Sequence, residues 1–293
     1  MMTTQTLVSR AAVVESGNGR GKRSFERGTG RSGKPGRTSS PRPAAVRVQS
    51  HGRTDVGLRR ANNQDYLELD DRRQIYLLAD GMGGGPRGDL AARLAVDTVH
   101  QTMLRRGPLR TRSLERIERA IQRARRRICD EISRDPELIG MGTTVVGLVL
   151  DSFEGAVVAN VGDSRAYRLR DGHLELLTRD HTMAAHLVSE GHMTKDEADR
   201  HPLRHVLTRA LCTDVGSEVE LVTSSVQAGD LFLLCSDGLS DMLQHEEIYR
   251  CLSRRDGLRD ACDDLVDEAL LRGGHDNITV GLVEILPEKS LVA

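Results

Sequence analysis

Aromatic side chains are nearly absent from this chain: they make up 2% of its 293 residues, with no Trp, 3 Phe and 4 Tyr. That scarcity argues against stacking platforms for bases or sugars, and no nucleic-acid partner is expected. The core must rest on Val, Leu, Ile and Ala, and an apolar content of 38% can supply one. Cysteine is scarce too. Cys129, Cys212, Cys235, Cys251 and Cys262 are odd in number and lack CxxC spacing. Neither a disulfide framework nor a zinc site is indicated, and a reducing cytoplasm fits. Long apolar runs are also missing. Thr144 to Leu150 is far shorter than a membrane span, and the first residues lack the apolar segment of a secretory signal, so no membrane contact is expected.

The net charge of -1 hides an asymmetry. Residues 1 to 50 carry 10 Lys and Arg against 2 Asp and Glu, which leaves 32 basic and 41 acidic residues for the remainder. An acidic body suits divalent cations. A basic Gly/Ser/Pro-rich stretch such as Gly17 to Pro43 cannot bury enough apolar surface to fold alone. Residues 1–45 therefore read as a disordered tail, 46–287 as the folded domain and 288–293 as a short closing tail.

Within the domain, β-like runs at Tyr66 to Leu69 and Gln74 to Ala79 flank the turn Asp70-Asp71-Arg72-Arg73, which reads as a hairpin. Ala91, Leu94, Ala95, Val99 and Met103 recur at helical spacing, as do Leu114, Ile117, Ile121, Ile128 and Ile132. Arg123, Arg125, Arg126 and Arg127 on the second helix are interleaved with Glu115, Glu118 and Glu131, the pattern of a solvated face. Four further β-like segments between Thr143 and Leu177, one pair joined at Asp171-Gly172, read as an antiparallel meander. An irregular insert at about 178–214 follows, with five histidines and a capping box at Thr194 to Glu197. An insert of that length beside a sheet points to function. Strands at Glu218 to Thr223 and Asp230 to Cys235, a helix from about Asp256, and a closing strand at Asn277 to Ile285 complete the pattern. Grouped strands and grouped helices without βαβ alternation give an α+β fold, with antiparallel sheets covered by helices.

Five short acidic motifs carry the chemistry: Asn63-Gln64-Asp65, Asp80-Gly81-Met82-Gly83-Gly84, Val161-Gly162-Asp163-Ser164-Arg165, Ser236-Asp237-Gly238 and Asp276-Asn277. Ile75 to Ala79 runs apolar into Asp80, and Leu231 to Ser236 into Asp237. A carboxylate at the end of a buried strand is fixed in place and costly to desolvate unless it has a partner. Any one such Asp-Gly is an ordinary turn or cap, but the ordered set implies carboxylates meeting at one sheet end. Without Cys or His at metal spacing, they select Mg²⁺ or Mn²⁺ over zinc or copper. His181, His186, His192, His201 and His205 form no metal array and read as surface or hydrogen-bonding residues. His275, next to Asp276, either tunes a ligand or faces solvent.

The segments DVGLRRANNQD (55–65), ADGMGG (79–84), MGTT (141–144), VGDSRAY (161–167), HPLRHVLTRAL (201–211), CSDGL (235–239) and GGHDNITV (273–280) resemble the bacterial metal-dependent Ser/Thr protein phosphatases of type 2C, the PPM family. The resemblance runs from roughly Val48 to Leu286. It implies a central antiparallel β-sandwich flanked by helices, with a binuclear Mn²⁺ or Mg²⁺ centre at one end and metal-activated water as nucleophile. Matched by motif, Asp80 would bridge two metals, the Gly81 carbonyl would complete one site, and Asp237 and Asp276 would bind the other. Asp65 would act mainly through metal-bound water, and Asp163 with Asp237 would form a third, weaker position. Arg60 matches the arginine that holds the substrate phosphate. The catalytic set so implied is Asp65, Asp80, Asp237 and Asp276.

The implied substrates are phosphorylated proteins, with a bacterial Ser/Thr kinase as a candidate partner, and the implied form is a monomer. The insert corresponds to the flap beside the metal site. There are departures: Gln64 stands where many members have Glu, Met82 replaces the histidine of eukaryotic members, Asp89 follows Gly88 in place of Glu, and Cys212 replaces a usual glycine. The alternative is a catalytically weak relative that binds phosphoproteins, against which the intact Asp80, Asp237 and Asp276 argue.

Overall fold

The structure, a computed structural model, describes residues 47–82, 87–105, 111–211 and 215–287. The tails read at 1–45 and 288–293, together with Gly83, Gly84 and Cys212, lie outside the described residues.

Among the described residues, ten strands form two five-stranded antiparallel sheets. The first has the order β1 (Arg47–Asp55), β10 (Ile278–Leu286), β9 (Leu231–Cys235), β6 (Arg165–Arg170), β7 (His173–Leu176). The second runs β2 (Asp65–Asp70), β3 (Ile75–Asp80), β4 (Val145–Asp151), β5 (Gly155–Val161), β8 (Glu220–Ser224). Helices α1 (Gly88–Leu104) and α2 (Ser113–Arg134) cover the outer face of the second sheet, with Ile117, Ile121 and Ile128 packed over Leu77 and Val149. Helices α6 (His245–Ser253) and α7 (Leu258–Leu271) cover the first, with Leu265 and Val266 over Leu233 and Leu282. Between the sheets, Tyr76, Leu78 and Leu148 meet Phe232, Leu234 and Val283.

Three separate apolar layers therefore hold four layers of structure, which is the α+β sandwich expected. Each fully buried Leu, Ile or Val contributes about 1.5–3 kcal/mol. Both faces of the central strands are covered, which is why β4 and β9 read as nearly continuous apolar runs rather than alternating ones.

The meander expectation needs correction. β4 pairs with β5 and β6 pairs with β7, but β5 and β6 lie in different sheets. The chain changes sheet at Gly162-Asp163-Ser164, because β6 finds its other partner in β9 from late in the sequence. Such a partner leaves no mark in local periodicity. The helix α6 was not anticipated, and neither were the single turn α5 (Asp237–Ser240) and the 3-10 turn Pro136–Leu138.

The insert contains α3 (Met183–Ser189) and α4 (Lys195–Ala198), the latter opened by the Thr194/Glu197 capping box. Cys235, Cys251 and Cys262 are free thiols, whereas Cys129 is disulfide-bonded, contrary to the reading of the cysteine count. Cysteine spacing along the chain does not report spatial neighbours. Among the described residues no helix is long and apolar enough to cross a membrane.

Candidate metal-binding active site

Every acidic motif sits where a strand begins or ends at the same end of the sandwich. Asp65 opens β2 and Asp80 closes β3, and the two are direct partners across the antiparallel pair. Asp163 lies on the β5–β6 corner, Asp237 follows β9 at the first position of α5, and Asp276 precedes β10. A cleft of about 700 Å³ is lined by Arg60, Asp80, Asp163, Asp237 and Asp276. Asp65 is not one of its lining residues; it lies beside Asp80, within the sandwich end.

Local hydrogen bonds hold the strand ends and loops that carry Asp65, Asp80 and Asp276. The end of β3 is clamped by the MGTT segment: Thr144 Oγ1 accepts from the Asp80 N–H at 3.1 Å, the Thr144 N–H donates to the Asp80 carbonyl at 2.9 Å, and Thr143 Oγ1 donates to the same oxygen at 2.8 Å. Ser236 Oγ donates to Asp65 Oδ2 at 2.8 Å and accepts from the Thr279 N–H at 3.0 Å, which ties the two sheets together beneath the cleft. Asn277, 4% exposed, clamps the loop that carries Arg60. Its Nδ2 donates to the carbonyls of Val56 (2.9 Å) and Asn62 (3.0 Å), while its Oδ1 accepts from the Gln64 N–H (2.8 Å). Arg60 reaches Asp276 Oδ2 at 2.5 Å.

Gly57 completes this join, with φ +75° and the position of a Cβ only 2.1 Å from the Asp276 carbonyl oxygen. Gly57→Ala would meet both backbone strain and overlap with main chain. Strain at positive φ and overpacking together cost about 2–4 kcal/mol. Tm is expected to fall by roughly 2–4 °C per kcal/mol in thermal unfolding, and phosphatase activity is expected to fall with it, since Arg60 and Asp276 meet across this contact.

The electrostatics are those of crowded, buried carboxylates. Burial, reinforced by the neighbouring carboxylates, pushes Asp80 and Asp237 well above the usual carboxylate range. Burial raises Asp65 to about 7, although hydrogen bonds from Thr279 and Ser236 oppose the shift. Burial and the nearby Asp180 raise Asp163 to about 7. Asp65 Oδ1 and Asp237 Oδ1 are buried without a hydrogen-bond partner, a costly state for carboxylate oxygens. Oxygen-rich and unsatisfied, this donor set fits a hard divalent cation.

Asp241 was not singled out in the sequence, and His205, read there with the other insert histidines as a surface or hydrogen-bonding residue outside any metal array, joins it at the cleft. His205 and Asp241 bring ligand atoms to within 4.8 Å of each other and of Asp237, and His205 Nδ1 lies 3.4 Å from Asp241 Oδ2. Asp241 stands one helical turn after Asp237, which is the signal that could have found it. His205 comes from the insert and had no such local cue. His181, read as a surface or hydrogen-bonding residue, is buried. His275 is exposed at the cleft rim. The Gln64 side chain approaches the start of α1 at Gly88.

A helix-covered double sheet with a pocket of carboxylates at one end defines a hydrolase that works through bound cations, and comparison with known proteins agrees. Residues 58–272 match the family described as protein phosphatase 2C. The serine/threonine phosphatase stp of Listeria monocytogenes is 37% identical over 239 residues, covering 79% of this chain and 94% of that protein. The serine/threonine protein phosphatase PstP of Mycobacterium tuberculosis is 37% identical over 236 residues, 80% of this chain and 44% of that protein. A crystal structure of the M. tuberculosis phosphatase superposes with a TM-score of 0.76 at 34% identity, covering 83% of this chain and 100% of the other. The PstP catalytic domain in complex with 2 manganese ions gives 0.73 at 33% identity, with the same coverage of each chain. The chain belongs to the protein phosphatase 2C family. Its activity is that of a metal-dependent protein serine/threonine phosphatase.

Proposed function

We propose that the cleft hydrolyses phosphoserine and phosphothreonine on proteins with two Mn²⁺ or Mg²⁺ ions held by Asp80, the Gly81 carbonyl, Asp237 and Asp276. In this reading Asp65 acts from behind Asp80, and Asp163 with Asp237 provides a third, weaker position near His205 and Asp241. The observation that carries the reading is the packing of Asp65, Asp80 and Asp237 together, with one oxygen each of Asp65 and Asp237 unpartnered. The two manganese ions in the related PstP structure support the same count here.

The bound cations would supply activated water and offset the charge that builds on the phosphoryl group. The protein's own contribution is geometric. The main chain of Asp80 is fixed by Thr143 and Thr144, and the Asp65 carboxylate is held by Ser236, so the backbone from which Asp80 projects is set before cations enter. Arg60 is held over the cleft by Asp276 and can turn its fork onto two phosphoryl oxygens, setting the phosphorus for in-line displacement. The insert, bearing Val206 and Leu207 along the cleft wall, is placed to select the protein around the phosphorylated residue. A Ser/Thr kinase is the class of enzyme that must supply such a substrate.

The deciding assay is dephosphorylation of a phosphothreonine peptide with Mn²⁺, abolished by chelator and restored by adding the metal back. Peptide binding without turnover in excess Mn²⁺ would instead indicate a binding-only relative. Arg60→Lys is expected to lower kcat/KM roughly 10–100-fold, because a lysine keeps the charge but loses a two-pronged charged hydrogen bond worth about 1.5–3 kcal/mol. Steady-state kinetics at saturating Mn²⁺ measures it. A chain lacking residues 1–45 is expected to hydrolyse a small aryl phosphate unchanged.

A further inference from the structure

The corner that carries Asp163 is attached to the insert through one buried imidazole. His181 is 4% exposed and lies at the base of the insert. The Gly162 N–H donates to its Nδ1 at 3.1 Å, and its own N–H donates back to the Gly162 carbonyl at 3.0 Å. Its carbonyl accepts from the Thr208 N–H at 2.8 Å, and next to it Thr182 and Leu207 form a bridge that closes the base of the insert. On the other side, Gly162 has φ +114° and lies against Thr144, with a Cβ there falling 2.6 Å from the Thr144 side chain. Thr144 is the residue that accepts from the Asp80 N–H. A continuous line of contacts thus runs from the insert through His181, Gly162 and Thr144 to Asp80.

The ring's hydrogen bonds settle its proton. Both ring nitrogens face donors, since Arg209 Nη1 is 3.2 Å from Nε2. The backbone N–H of Gly162 cannot rotate away, so Nδ1 is the acceptor and in the neutral ring Nε2 carries the hydrogen; Glu220 Oε2, 3.7 Å from Nε2, is the nearby anion but lies outside hydrogen-bond distance. Burial and the Arg209 charge hold the imidazole down at about 4, so the ring is neutral and able to accept near pH 7.

We propose that His181 is a positioning residue which, through its Nδ1 acceptor, locks the Gly162-Asp163 corner to the base of the insert and so sets the affinity of the cation that Asp163 holds. The proposal rests on the reading of Asp163 as a ligand. Nothing in the HT pair of the motif TRDHT distinguishes this role from an ordinary buried histidine; it comes from the doubled connection to Gly162 and the bridge beside it.

The test uses the full chain and compares His181→Asn, whose side-chain oxygen falls near the place of Nδ1, with His181→Leu, which fills space without accepting. His181→Gln, whose oxygen reaches toward the place of Nε2 instead, stands in for Leu should that variant fold poorly. Titration with Mn²⁺ followed by electron paramagnetic resonance is expected to show the weakest ion bound about 10–100-fold less tightly in Leu or Gln, the usual scale for losing a group that supports a ligand. The tighter ions should be unchanged, and Asn should lie within about threefold of the parent on that same scale. Hydrogen exchange at the Gly162 amide, read with and without Mn²⁺, should be faster in Leu or Gln and near parental in Asn. Variants that lower Tm alike, with every Mn²⁺ affinity and the Gly162 exchange rate unchanged, would reduce His181 to a packing residue. The two readings separate through Asp163→Asn: if it keeps all ions, the ligand reading fails and the affinity half of the proposal with it, while loss of Gly162 protection in the His181 variants would still support the lock.

Discussion

Asp237→Asn is expected to lower kcat/KM toward a phosphopeptide by roughly 10³-fold while raising the thermal stability of the metal-free protein. Both effects come from one carboxylate. Asp237 is the first residue of α5 and meets Asp80, with Asp163, Asp241 and Asp276 all raising its proton affinity after burial itself. The asparagine keeps the shape and loses the charge. If Asp237 holds a cation, its removal takes away transition-state stabilisation worth several kcal/mol, and each 1.4 kcal/mol is about tenfold in rate. In the absence of metal the same change relieves repulsion among buried carboxylates, so the variant should unfold at a higher temperature than the parent in chelator. Phosphopeptide kinetics with Mn²⁺ and a melting curve in chelator check the two halves. A variant with full activity would remove Asp237 from the site, and one destabilised in chelator would mean that the carboxylate has a favourable partner there.

Raising the pH from 5 to 8 is expected to destabilise the metal-free protein, and Mn²⁺ is expected to reverse the trend. Asp65 and Asp163 titrate near 7 in the folded state, and Asp80 and Asp237 are also raised, against about 3.9 when unfolded. Between those values the folded chain binds more protons than the unfolded one, so stability declines as pH rises through the window and is lowest above about 7. His181 works in the opposite direction, since its folded value of about 4 lies below that of a free imidazole, so it favours the folded state as pH rises to about 6.5. Four carboxylates outweigh one imidazole, so the net Tm of the metal-free protein should fall across this range. With Mn²⁺ the slope changes sign, because a cation binds the deprotonated carboxylates and stabilises the fold more strongly as they ionise. Melting curves across this range, with metal and with chelator, decide the matter. A chelated protein that gains stability steadily up to pH 8 would contradict the crowding of these groups.

The parts legible in the sequence were those whose cause is local. Ile75 to Ala79 had to be buried and Asp80 had to end it. Ile117, Ile121 and Ile128 marked one face of α2, and Thr194 with Glu197 announced α4. The parts that were not legible depend on distant partners. Nothing near Val161 says that the next strand joins the other sheet, because the reason is β9, some 70 residues later. α6 turns only Ile248 and Leu252 fully inward, too few for a clear apolar stripe, although Gln244 and Glu247 cap it. Ser236 and Thr144 were visible as members of motifs, but their roles became apparent only through the hydrogen bonds they make to Asp65 and Asp80. The nearness of His205 to Asp241 follows from how the insert folds back, which no spacing rule encodes.

The Thr182–Leu207 bridge has a consequence for how such enzymes diversify. Because the segment between those two residues leaves and rejoins the scaffold at one point, changes in its length and sequence are expected to leave both sheets in place. Exchanging it, with His205 retained, for the matching segment of a related phosphatase should transfer the choice of target while leaving turnover of a small aryl phosphate intact.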